Sequence, residues 1–189
     1  MADLTFSQPA RRNFAAPVLL ALLVLAIAVA LILRFTPHTT ADASVSHVQT
    51  YAAHTVFKSD SIVVGHDQAE DDLYVLATVT LTDRLRLPLF LKDFTATLTP
   101  AQGDPITVSA TEKPDLQGLY AAFPAVKALA DSAPAPLYRE TTVQPGQTVT
   151  GTIFLHFPVA QDVWNSRQSA TLSIVPYHQA PIVIDIPKS

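Results

Sequence analysis

No cysteine occurs in the 189 residues, which excludes disulfides, thiolate metal sites and a cysteine nucleophile at once. Glycine is nearly as scarce: five in all leave few places for a backbone to wrap a phosphate, and no glycine-rich phosphate loop is present. A G-x-S-x-G elbow, an S-x-x-K pair and an H-E-x-x-H helix are missing too. Histidines stand at 38, 47, 54, 66, 156 and 178, with no two at zinc-ligand spacing on one strand or helix beside a carboxylate. These absences point to a chain that is not an enzyme and holds neither metal nor cofactor.

Positive charge is short beyond the N-terminus. Residues 1–34 carry Arg11, Arg12 and Arg34 against Asp3, a net of +2; of 12 basic and 16 acidic side chains in all, 9 and 15 remain, a net of −6. An acidic body of this kind excludes nucleic acid as a partner, because phosphate binding needs a basic field. The same repulsion opposes lying flat on anionic lipid.

Apolar length is abundant in one place. Phe14 to Leu33 carries no charge, and about 20 residues of helix span roughly 30 Å, the hydrocarbon thickness of a bilayer. Leu, Ile and Val dominate the run, each contributing about −0.3 to −0.6 kcal/mol near the centre of an inserted helix. Pro17 falls in the first turn, where its missing N–H costs least. Arg11 and Arg12 precede the run and Arg34 alone follows, so the positive-inside bias favours a cytoplasmic N-terminus. A cleaved signal is the rival reading. The twin arginines before Phe14 partly resemble an export signal, and Ala28–Ala30 and Ala41–Ala43 have cleavage-like small residues. The run is longer than the roughly 7–15 residues of a signal h-region, which favours a retained anchor. Ala26 and Ala30 make a small-xxx-small pair that composition alone explains in so alanine-rich a segment. The expected location is the inner (cytoplasmic) membrane, single-pass, with the C-terminal body extracytoplasmic or periplasmic.

The rest divides into a polar tail (1–13), the span (14–34), a Thr-, Ser- and Ala-rich linker (35–46) and a β-domain (47–189). Leu73, Val75, Ala77, Val79 and Leu81 alternate with Tyr74, Leu76, Thr78 and Thr80, a period of two that predicts a half-buried strand. Thr148 to Phe157 repeats the pattern, with Gly151 on the inward side as a mark of close packing or a bulge. Residues 94–98 and 106–108 flank Pro100–Asp104 as a hairpin; 170–175 and 182–186 complete the series, and 47–57 and 61–64 are weaker candidates. Prolines at 88, 100, 105, 114, 145, 158, 176 and 181 fall between these runs, which suits short antiparallel strands. Seven to nine strands predict a β-sandwich. One stretch differs: Leu116, Leu119, Tyr120, Phe123, Val126 and Leu129 recur at three and four, a helical stripe that Pro124 divides into two pieces.

Leu73–Arg84 (LYVLATVTLTDR) and Val143–Pro158 (VQPGQTVTGTIFLHFP) resemble the telokin-like, immunoglobulin-fold domains of unknown function on bacterial lipoproteins and single-span envelope proteins. The likeness covers about 110 residues. It departs from that pattern in having a plain span for a lipobox cysteine and a helical insertion at 115–129. The resemblance implies an immunoglobulin-like antiparallel β-sandwich outside the cytoplasm, and implies no reaction.

Two surfaces remain as candidates. Leu116, Leu119, Tyr120, Phe123 and Val126 either cap an open end of the sandwich or offer a helix to a protein partner. Arg84, Arg86 and Phe90 are placed to touch lipid headgroups or an acidic partner, in what reads as a hairpin. The acidic run His66–Asp72 reads as a solvated loop rather than a calcium site, and Trp164 reads as a core plug. The expected function is an envelope interaction or structural module. The alternative is binding of a small apolar ligand or lipid between the sheets, beneath the 115–129 cap.

Overall fold

The computed structural model describes residues 15–35, 40–57 and 68–188, in two units, Met1–His38 and Thr39–Ser189. The first unit contains α1 (Ala15–Phe35), whose side chains from Ala15 to Arg34 are all exposed. Its mean hydropathy of 3.1 makes it long and apolar enough to cross a membrane.

The second unit contains β1 (Ala41–Phe57), β2 (Gln68–Asp83), β3 (Leu89–Thr99), β4 (Ile106–Ser109), α2 (Lys113–Ala122), α3 (Pro124–Ser132), β5 (Thr142–Val143), β6 (Thr148–Phe157), α4 (Gln161–Ser166), β7 (Ser169–Pro176) and β8 (Ile182–Asp185). The strands form two antiparallel sheets. One has the order β1-β2-β6; the other runs β4-β3-β7-β8, with β5 pairing the start of β3. Their inward side chains share one core: Leu73, Val75, Val79, Ile153 and Leu155 from the first sheet meet Phe94, Leu98, Leu172 and Ile174 from the second. The molecule is thus an apolar helix plus a β-sandwich. The expected inward set of β2, Leu73, Val75, Ala77, Val79 and Leu81, is buried throughout, but Leu76 and Thr78 on the other face are buried too.

Two boundaries move. The 35–46 linker is shorter than expected, because β1 begins at Ala41, which pairs with Asp83. Ala41, Ala43 and Val45 do alternate with Asp42, Ser44 and Ser46, but alanine carries too little apolar area to mark a strand. A bulge between Val45 and His47 then shifts the phase, so the inward set becomes Val48 and Thr50. The second change is at 84–88. This segment is not a hairpin; it crosses from β2 in one sheet to β3 in the other. The strand candidate at 61–64 lies outside the described residues.

The helical insertion does not close an end of the sandwich. It lies on the outer face of the β1-β2-β6 sheet, where Leu76 and Phe154 pack with Leu116 and Val126. Pro124 starts α3 after Phe123, which breaks the stripe into two short helices as the sequence predicts.

The free edge of β6 is occupied by extended chain. Leu137 N–H donates to Thr152 O (2.9 Å), Thr152 N–H to Ala135 O (3.0 Å), and Thr111 N–H to Phe154 O (2.8 Å). Gly151 makes this approach possible: a Cβ there would stand 2.9 Å from Leu137 Cβ and 3.0 Å from Ala135 O. Gly151→Ala is therefore expected to cost about 1–3 kcal/mol by overpacking. Gly118, in α2, has open space around its Cβ position, and Gly118→Ala is expected to gain about 0.5–1 kcal/mol. Urea unfolding of the detergent-solubilised chain, followed by the emission of its single tryptophan, measures both.

Candidate functional site

The long β1–β2 hairpin continues past β6, which pairs only with Leu73–Thr82. Asp71 and Asp72 lie near this extension, so part of the predicted acidic loop is strand; His66 and Asp67 lie outside the described residues. Alternation sends the two carboxylates to opposite faces of the sheet. There each meets a histidine, His54 Nδ1 with Asp71 Oδ1 and His156 Nε2 with Asp72 Oδ1, both at 2.7 Å. The sequence spacing of the histidines concealed these cross-strand partners. Among the described residues no group of three or more His, Cys, Asp or Glu gathers to hold a metal ion.

The stripe of the insertion is spent inside the chain. Leu116 and Val126 are fully buried, while Leu119, Tyr120 and Phe123 are half-buried against the sheet. Phe123 packs on Tyr74 and Tyr51 (ring centroids 5.1 and 6.1 Å), and Tyr120 meets Phe154 edge-on at 6.1 Å. Tyr74 in turn stacks on His156 at 4.9 Å. The apolar area of these five residues covers Leu76 and Phe154, and Leu119, Tyr120 and Phe123 keep part of their surface exposed.

Two hollows flank this cap. One, of about 310 Å³, lies between α2 and the sheet and is lined by Tyr74, Gly118, Leu119, Ala122, Phe123 and His156 among others. The other, of about 420 Å³, has Phe94, Ala110 and Leu137 at its apolar side and Glu112, Lys113, Arg139 and Glu140 at its polar side. Arg139 is ion-paired with Glu112 across it.

Arg84, Arg86 and Phe90 lie in the crossover from β2 and the start of β3, at the end of the sandwich where the chain enters β1. Arg84 N–H donates to Thr40 O (3.2 Å), and its guanidinium Nε donates to Asp42 Oδ2 (2.6 Å). Arg86 and Phe90 are exposed. Asp83 is buried beneath the turn, its Oδ1 accepting from Leu85 N–H at 2.7 Å.

Sequence reading missed Arg167. It follows α4 and is buried, its guanidinium 3.9 Å from the ring of Trp164, itself fully buried as predicted. It donates to Trp164 O (2.8 Å) and Pro187 O (2.7 Å), with no carboxylate partner among the described residues. Burial lowers its pKa. Only its position three residues after the lone tryptophan hinted at this, and that is too common a spacing to read.

No family model matches the chain, and no curated protein does. Among solved structures it is similar to a functionally unknown protein from Listeria monocytogenes EGD-e, at 8% identity over 82% of this chain and 81% of that one, with a TM-score of 0.43. It is also similar to Northeast Structural Genomics Consortium target SoR45, at 9% identity over 74% and 82%, with a TM-score of 0.33.

Tyr74 beneath the cap and Tyr120 within it give the fold a pH response. Burial, then Asp72, then Tyr51 raise the pKa of Tyr74; burial, then Tyr138, then Asp131 raise that of Tyr120. A raised folded-state pKa stabilises the fold below the unfolded value and loses that stabilisation as pH rises through the folded one. Stability is therefore expected to fall above about pH 10, and Tyr74→Phe with Tyr120→Phe to flatten that fall in urea titrations between neutral and alkaline pH.

Proposed function

We propose that this chain is a single-pass envelope protein, N-terminus in the cytoplasm, which holds an immunoglobulin-like β-sandwich on the outer side of the inner membrane as a non-catalytic interaction or structural module. The carrying observation is α1: it carries no charge before Arg34, its side chains from Ala15 to Arg34 are exposed, and it is long and apolar enough to cross a membrane. The arginine bias around the span supports the orientation, and the strand motifs around residues 73–84 and 143–158 support the immunoglobulin-like reading. A protein partner meets the insertion through outward residues such as Gln117, Ala121 and Lys127, which are exposed.

A small apolar ligand is the second reading. The observation favouring it is the 310 Å³ hollow at the margin of the cap, not a space between the sheets. An apolar dye that binds the chain but not Gly118→Trp, which fills the hollow, would support it.

The anchored reading predicts that the chain stays with membranes through an alkaline carbonate wash. It also predicts that protease added to intact spheroplasts digests the body. Release by carbonate, or a body that survives until the membrane is opened, would overturn it.

A further inference from the structure

Among the described residues, the β-domain leaves five large apolar side chains exposed: Val56, Leu87, Phe90, Tyr177 and Val183. Three of them gather at one end. Leu87 (72% exposed) is in the β2–β3 crossover, Phe90 (50%) is the second residue of β3, and Tyr177 (45%) follows β7. Tyr177 N–H donates to Phe90 O at 2.9 Å, so those two are cross-strand neighbours. The opposite end of β3 is unlike this: its turn, Ala101 to Asp104, is short and exposed, with no large apolar residue.

The apolar end is also the end at which the chain arrives from α1. Ala41 pairs with Asp83, and Arg84 follows directly, beside Asp42. Residues 36–40 separate Phe35 from Ala41, and covalent reach limits that link to about 20 Å however it runs. A span held in a bilayer would keep this end near lipid at high effective concentration, so a few apolar side chains suffice for contact.

We propose that Leu87, Phe90 and Tyr177 rest in the lipid interface, an inference that depends on the anchored reading above. Tyrosine suits that depth, with its ring among acyl chains and its hydroxyl among headgroups. Arg86 is exposed and forms no ion pair among the described residues, so its guanidinium is available to a lipid phosphate. Arg84 is already matched by Asp42. The body as a whole is acidic, so the contact is apolar in origin and does not depend on anionic lipid.

The absence of cysteine makes the test direct. Leu87→Cys, Tyr177→Cys, Gln102→Cys and Leu25→Cys are each introduced into the full chain, labelled with an environment-sensitive fluorophore and reconstituted into phosphatidylcholine vesicles. Nitroxide-bearing lipid is expected to quench the labels at 87 and 177 at least about twofold more than the label at 102, with little change on adding salt. Strong quenching at 25 with equal, weak quenching at 87, 177 and 102 would overturn the proposal while leaving the anchor intact. Absence of quenching at 25 would remove the anchor and the proposal together. Signals at 87 and 177 that vary with protein-to-lipid ratio would assign this end to a second copy, and that too would overturn it. Unchanged Trp164 emission in each variant confirms the fold.

Discussion

Leu76 and Phe154 stand on the outer face of a sheet whose inner face is already buried in the sandwich core. A sheet apolar on both sides must be covered twice, because each exposed leucine- or phenylalanine-sized patch forgoes about 1.5–3 kcal/mol of burial. The second sheet supplies one cover and the α2–α3 pair the other. The insertion is therefore part of the architecture of β2 and β6, and its amphipathic stripe is explained by the sheet it lies on.

That double cover sets the path of the chain around it. To lay two helices on the outer face and return for β6, the backbone passes along the open edge of β6. There 110–111 and 135–137 take up hydrogen bonds that an edge strand would otherwise expose. The space at Gly151 lets the returning segment come that close. A cap, an edge and a glycine are thus one solution to a single burial problem.

Much of this was legible in the sequence. The unbroken apolar run and the strict alternation from Leu73 to Leu81 are long, repeated signals, and Pro124 punctuates the helices visibly. What was not legible depends on contacts between distant segments. The start of β1 is written in alanines, and its bulge at Ser46 breaks the period that would have announced it. The stripe of Leu116 to Val126 shows an apolar face but not which surface it meets. Alternation puts Leu76 on the outward side of its strand, and only its pairing across from Phe154 shows that the outer face is apolar as well. His54 and His156 found carboxylates through strand register, 17 and 84 residues away in the chain.

Arg167 carries a consequence for how the protein folds. Its guanidinium is sealed inside the sandwich and finds an acceptor in the carbonyl of Pro187, 20 residues further along the chain. A buried cation without acceptors is costly, so a chain lacking that segment gains little by closing around it. The stretch after β8 thus acts as a clasp, and the sandwich completes its packing around Arg167 only once Pro187 is in place.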